Sequence, residues 1–391
     1  MHIVLFTHPT FLGSQSMPRF ASMLSNGMKG RGHTVEVWAP EPLFYKLPIY
    51  KSLKKWMGYI DQYMVFPAQV KKRLLTYADD TLFVFADQAL GPWIPLVADR
   101  PHVIHAHDLL AQRSALGEIP ENPTSATGKK YQDYIRKGYS KGKYFISVSK
   151  KTQQDLHAML GREPEVSEVV YNGLNQGFRP QNVVEARQKI SSELKVNVTK
   201  GYLLHVGGNQ WYKNREGVIQ AYNAWRSETT TPLQLLMIGP SPSSKLQGRC
   251  DTSPYKDDIM LLSGKNDEFV KSAYCGASLF LFPSLAEGFG WPIAEAMASG
   301  CPVITTEEAP MTEVGGSAAY YVRRKSFEEN WHEWSNDVAK VIESILDLPK
   351  ETRERVIEAG IDNAKRFDTE ESLKQIEAVY AQVLKSTKKL A

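Results

Sequence analysis

Short apolar runs alternate with amphipathic stretches along the whole chain. "HIVLF" (2–6) ends at the polar, glycine-bearing turn "THPTFLGSQS". A stretch of helical period follows at about 17–30, and "GHTVEVWAP" then reads as a second strand. The same order recurs at "YLLHVGG" (202–208), "NQWYKN", "REGVIQAYNAW" and "LQLLMIGP" (233–240). Further strands are expected at 82–86, 102–107, 144–149, 168–172, 259–264, 279–284 and 302–306. Strands buried on both faces read as continuous apolar runs, and their alternation with helices predicts doubly wound parallel sheets.

Two strand–glycine–helix openings, far apart, predict two α/β domains of Rossmann-like type facing each other across a cleft. The join is expected within "YNGLNQGFRPQN" (171–182), rich in Gly, Asn and Pro. The amphipathic pattern "EESLKQIEAVYAQVLKS" (370–386) has no strand after it. It is expected to pack back on the first domain, which then comprises 1–175 and 370–391, leaving 176–369 as the second.

Composition narrows the function classes. The 391 residues are 42% hydrophobic and 23% charged, as in a soluble globular protein. A net charge of +4 is too small to imply nucleic-acid binding by itself. Cys250, Cys275 and Cys301 are widely spaced and form no zinc-binding pattern, which favours a reducing compartment and no structural metal. The start "MHIVLFTHPTFLG" has no basic segment or cleavage site, so no secretory signal is expected. No apolar run approaches the roughly 18 residues of a membrane span. The expected location is cytoplasmic, with membrane association open.

The stretch "FPSLAEGFGWPIAEAMASGCPVITT" (282–306) concentrates the chemistry. Strand, glycine turn and helix follow one another, with Pro292 at the first helical position and Gly300 as the C-terminal cap. Glu287 falls in the turn, beyond the carboxyl end of the strand, where such sheets bind ligands. Glu295 lies 200° around the helix from Ile293 and Met297, away from their apolar face. The helix N-terminus and the amides of Gly288, Phe289 and Gly290 offer donors to an anion. Carboxylates beside an anion site suggest a ligand that is part phosphate and part hydroxyls.

"EGFGWPIAEAMASGCPVI" resembles the Glu-x7-Glu signature of the retaining glycosyltransferases of family 4, which have the GT-B fold. "RGHTVEVWAP", "VIHAHD", "ISVSKKTQQDL", "VVYNGLNQGFRP", "LLHVGGNQWYKN" and "EVGGSAAYYV" resemble further segments of that family in order. The resemblance implies an enzyme that moves a sugar from a nucleoside diphosphate to a glycan or lipid-linked acceptor in polysaccharide biosynthesis. UDP-glucose is the expected donor type; GDP-mannose, or a nucleotide-sugar epimerase of the same fold, is the alternative. It implies Glu287 on the donor sugar, Glu295 on the ribose, and backbone amides of Phe289 and Gly290 on sugar or phosphate. Lys213 would neutralise the departing diphosphate. Gly208 stands where many members carry an arginine, with Arg215 and Asn209 nearby to compensate. Lys265 is counted with the nucleotide-binding residues.

His105 and His107 share a strand face by spacing; the resemblance favours His107 as the residue that reaches the sugar, with Asp108 behind it. Gly13, in "LGSQS", would let the backbone approach the diphosphate or the acceptor. No Asp-x-Asp occurs, so no metal and no cofactor are expected. Residues 41–77 carry seven cations against two carboxylates, interleaved with aromatics. They read either as a solvated face over a core or as a segment that docks on anionic lipid or a lipid-linked acceptor.

Overall fold

The structure, a computed structural model, describes residues 1–12, 16–174, 177–328 and 330–388. It divides into two compact units, Met1–Ile119 with Pro123–Tyr171 and Glu370–Ala391, and Pro120–Asn122 with Asn172–Thr369. The division falls after Tyr171, within the expected joining segment and four residues before the expected boundary. Pro120–Asn122 was not expected to group with the C-terminal unit.

The N-terminal unit holds strands β1 (His2–Phe6), β2 (Thr34–Trp38), β3 (Leu82–Phe85), β4 (His102–Ala106), β5 (Tyr144–Ser147) and β6 (Val166–Val169). Their order is β2-β1-β3-β4-β5-β6, with every pair parallel. Alternation along β1 explains the continuous run: Ile3 and Leu5 enter one core, Val4 and Phe6 the other. The helix Thr369–Lys388 belongs to this unit and closes the first core with Leu373, Ile376, Val379, Tyr380 and Val383. Glu377 anchors it, accepting from Arg31 Nε at 2.6 Å and lying 2.7 Å from His33 Nε2. These bonds, that from Arg31 foremost, hold the Glu377 carboxyl below its ordinary pKa.

The C-terminal unit holds β7 (Tyr202–Val206), β8 (Gln234–Ile238), β9 (Ile259–Leu262), β10 (Leu279–Phe282), β11 (Val303–Thr306) and β12 (Tyr320–Val322), ordered β12-β11-β10-β7-β8-β9 and parallel throughout. Both sheets are therefore doubly wound, and each has one switch point where successive connections leave in opposite directions. It lies between β1 and β3 in the first sheet and between β7 and β10 in the second. Ligand crevices open beyond the carboxyl ends of strands at such points.

Two edge strands differ from expectation. β12 was not foreseen: it is three residues long and only Val322 is buried, with Tyr320 and Tyr321 partly covered, so no long apolar run marks it. β6 starts at Val166, two residues before the expected run, because it alternates buried and exposed positions as an edge strand does. Cys250, Cys275 and Cys301 are buried free thiols. Among the described residues no helix is long and apolar enough to cross a membrane.

Candidate functional site

The switch point of the second sheet carries a charged pair. After β7 the chain makes a short turn, Trp211–Lys213, and leaves it through Asn214 in a left-handed conformation (φ 50°). After β10 it enters the glycine turn. The two loops are stitched together: Asn214 Nδ2 donates to Pro283 O at 2.9 Å, and Leu285 N to Tyr212 O at 2.7 Å. Lys213 Nζ donates to both oxygens of Glu287, at 2.8 and 2.9 Å. Ser284 Oγ lies 2.6 Å from the same carboxylate. The rings of Phe282 and Tyr212, 5.0 and 5.4 Å from Nζ, wall the ammonium. A cation and a carboxylate thus meet where strand order reverses.

Glu295 stands farther along the same chain segment. Gly290 precedes the helix Trp291–Ala298 with φ 107°, a conformation that suits glycine. Ile293, Ala294, Ala296 and Met297 are buried, whereas Glu295 is only half-buried. Tyr274 Oη donates to Glu295 Oε2 at 3.1 Å. Burial first, and then the Glu295 carboxylate, push the Tyr274 hydroxyl well above its ordinary pKa, so it remains a donor. The Phe289 side chain is buried against Trp291 and Phe367. The side chain is thus taken up by packing within the unit. Lys265 places its ammonium 4.4 Å from the Phe269 ring centre. Among the described residues no hydrogen bond or ion pair joins it to Lys213 or Glu287.

In the N-terminal unit the two histidines separate. His105 is buried, with Nε2 2.8 Å from Tyr380 Oη on the helix Thr369–Lys388, and burial pushes its pKa down to about 3. It ties that helix to the sheet. His107, just past β4, donates from Nε2 to Ala86 O at 2.9 Å and packs at 4.3 Å against the Phe20 ring. Burial lowers its pKa too, so the ring is neutral at pH 7. Asp108 Oδ1 accepts from Leu110 N at 3.1 Å, at the start of the next helix. Gly13 lies outside the described residues.

Sequence reasoning missed His8 and Asp87, which follow β1 and β3 and meet at the first switch point, 2.8 Å apart. Burial pushes the Asp87 carboxyl up, but the His8 hydrogen bond and the neighbouring histidine charges hold it below its ordinary pKa. Their signal is position alone. Each stands two residues beyond a strand, and only the strand order shows that the two strands are neighbours. Ser284 and Tyr274 were missed for a similar reason, since neither belongs to a recognisable spacing.

Residues 186–363 match the family described as Glycosyl transferases group 1, and residues 17–177 match Glycosyltransferase Family 4. The chain is 30% identical over 175 residues to O-antigen chain mannosyltransferase B of Escherichia coli, covering 44% of this chain and 43% of that protein. It is 25% identical over 247 residues to O-antigen chain mannosyltransferase RfbU of Salmonella typhimurium, covering 63% and 64%. Both matches span less than two thirds of the relative's own length. Among solved structures, Anabaena Alr3699/HepE in complex with UDP and glucose superimposes with a TM-score of 0.72 at 18% identity, over 98% of this chain and 100% of that one. Sucrose-phosphate synthase from Thermosynechococcus elongatus gives 0.73 at 15% identity, over 99% and 100%. At such identities these two likenesses concern the fold.

Proposed function

The chain belongs to glycosyltransferase family 4, with the GT-B fold of two Rossmann-like domains, and from that premise we propose that it is a retaining, metal-independent glycosyltransferase. It moves a hexose from a nucleoside diphosphate to a hydroxyl of a glycan or lipid-linked acceptor in polysaccharide biosynthesis. The observation that carries this reading is the Lys213–Glu287 pair at the switch point of the second sheet.

In the proposed reaction the bond from the anomeric carbon to the phosphate oxygen breaks, and the acceptor oxygen bonds to that carbon on the same face. The acceptor proton passes to the departing phosphate oxygen. Lys213 stabilises the charge that grows on the diphosphate. Glu287 accepts from the sugar hydroxyls and favours the positive charge that develops on the ring; the ribose hydroxyls go to Glu295, and His107 reaches the sugar. Both Glu287 oxygens are already engaged by Lys213, which supports an electrostatic role rather than a nucleophilic one. If the Lys213 ammonium does the work of a divalent cation, as proposed, turnover survives EDTA. Loss of activity that Mn²⁺ or Mg²⁺ restores would reject this part.

UDP-glucose is the first donor to test, and HepE, a structural neighbour, is described in complex with UDP-glucose. GDP-mannose is the second reading, supported by the two O-antigen mannosyltransferases among the relatives. A thermal-shift panel of UDP- and GDP-sugars separates them, because a ligand that binds only the folded state raises its stability as ln(1 + [L]/Kd). A rise with neither nucleotide would reject the function.

Residues 41–77 are proposed to dock on an anionic lipid surface. The segment turns one face to the core through Phe66 and Val70, and buried Asp61 secures it by accepting from Phe44 N and Tyr45 N, each at 2.9 Å. Its other face exposes Tyr50 (83%), Trp56 (61%) and Leu75 (86%) beside exposed Lys46, Lys55, Lys71 and Lys72. Aromatic and aliphatic tips among lysines match the chemistry of a charged bilayer interface.

A further inference from the structure

A pocket of about 360 Å³ opens in the C-terminal unit, and neither Lys213 nor Glu287 is among the residues lining it. Arg215 is, although only 5% of its surface is exposed. Its guanidinium lies at the ends of β7 and β8: a Cβ on Gly239 would come within 3.5 Å of the guanidinium carbon and 2.2 Å of Gly207 O. One terminal nitrogen, Nη1, is tied to Asn209 Oδ1 at 2.5 Å and Pro240 O at 3.5 Å. Among the described residues, Nε is buried without a hydrogen-bond partner, and no carboxylate pairs with the guanidinium. A buried charge without a counter-ion is costly, and a buried donor without an acceptor needs an explanation. Burial alone pulls the pKa of this side chain below the ordinary guanidinium value.

The rest of the lining leaves that charge uncompensated. Glu216 is engaged by Lys245 at 2.8 Å, and Glu121 by Arg324 at 2.6 Å. Lys325 adds a further, buried cation, 4.3 Å from the centre of the Trp331 ring. Trp211 and Trp331 contribute apolar ring surface to the same pocket. A volume near the lower end of small-molecule sites holds a sugar phosphate rather than a polymer.

We propose that this pocket is a phosphate subsite in which Arg215 donates from Nη2, the nitrogen that is neither tied to Asn209 nor buried, to an oxygen of a phosphorylated sugar substrate, while Trp211 and Trp331 flank the ring. A guanidinium N–H gives a charge-assisted hydrogen bond to a phosphate oxygen, stronger than a neutral one. The phosphate is either part of the donor diphosphate or carried by a second sugar substrate. The inference rests on the proposed function for the class of substrate, and its test separates the two sources.

The wild-type chain, Arg215→Met and Arg215→Lys are titrated by calorimetry with inorganic phosphate, a hexose phosphate and UDP. Losing a charged hydrogen bond weakens binding by roughly tenfold to a hundredfold. We expect Arg215→Met to show that loss for at least one probe and Arg215→Lys to recover part of it. A loss confined to UDP assigns the phosphate to the donor, and a loss confined to the hexose phosphate assigns it to a second substrate. Met also removes a buried charge, so its melting temperature is expected to match or exceed that of wild type. A lowered melting temperature with all affinities unchanged makes Arg215 a structural residue and overturns the subsite. So does a wild-type chain that binds none of the three. If Arg215→Met fails to fold, the double substitution Lys245→Gln and Lys325→Gln is titrated instead, and unchanged affinities there overturn it equally. A wild-type chain that ignores UDP but binds phosphate in an Arg215-dependent way rejects the UDP-sugar donor and leaves the subsite standing.

Discussion

At the scale of single residues, the two glutamates of the glycine turn separate by what they touch. Glu287 is bound to Lys213, whereas Glu295 stands on the next helix beside Tyr274. If Glu295 meets the ribose, Glu295→Gln weakens binding of UDP and of UDP-sugar alike, by about 1.5–3 kcal/mol. Glu287→Gln is expected to bind free UDP at least as well as wild type, because it releases Lys213, and to lose kcat, because its carboxylate favours the charged transition state. Calorimetry with UDP beside kcat for both variants checks this; a Glu287→Gln that loses UDP affinity and keeps kcat reverses the assignment. These two residues were legible in the sequence because a strand, a glycine turn and a helix fix where each must fall. The pairing of Glu287 with Lys213 was not, since the two stand 74 positions apart and nothing in that stretch signals that β7 and β10 lie side by side. The same ignorance of strand order hid His8 and Asp87.

At the scale of elements, continuous apolar runs located the central strands well, because covering both faces of a sheet imposes one pattern. Edge strands such as β6 and β12 are covered less, so the pattern that marks them is weaker. The segment 41–77 combines both of its sequence readings: a core-facing side and an exposed side rich in lysine and aromatics. Co-sedimentation with vesicles is expected to require anionic lipid, to weaken with salt, and to fall with Trp56→Ala or Lys71→Glu. Equal binding to neutral vesicles, or none to either kind, leaves the exposed side as a solvated face.

At the scale of the whole molecule, both units bury neutral histidines. Burial pushes His105 and His205 down to about 3, and lowers His102 and His107 as well. Above pH ~6.5 these rings are neutral in folded and unfolded chains, and they leave stability unchanged. Below it the unfolded chain takes up protons that the fold excludes. Stability then falls as pH drops toward 3, by about 1.4 kcal/mol per pH unit for each of His105 and His205, with His102 and His107 adding in the same direction. Urea midpoints that stay level from pH 7 to pH 4.5 would contradict this. The helix Thr369–Lys388 sets a second expectation. A chain stopped after Asp368 lacks the residues that close the first core, so its N-terminal unit is expected to yield to protease while 172–368 resists. A resistant 1–171 fragment would count against it.

That helix also bears on the order in which the protein is made. Domains commonly fold as they leave the ribosome, the first one made folding first. Here the N-terminal unit, which emerges first, lacks Leu373, Ile376, Val379, Tyr380 and Val383 until the entire C-terminal unit has been translated. The C-terminal unit, translated later, is therefore the first to have all of its chain. Until then the nascent N-terminal half presents an open apolar face around Ile3, Leu5 and Val84, a surface for chaperones during synthesis that the finished protein no longer offers.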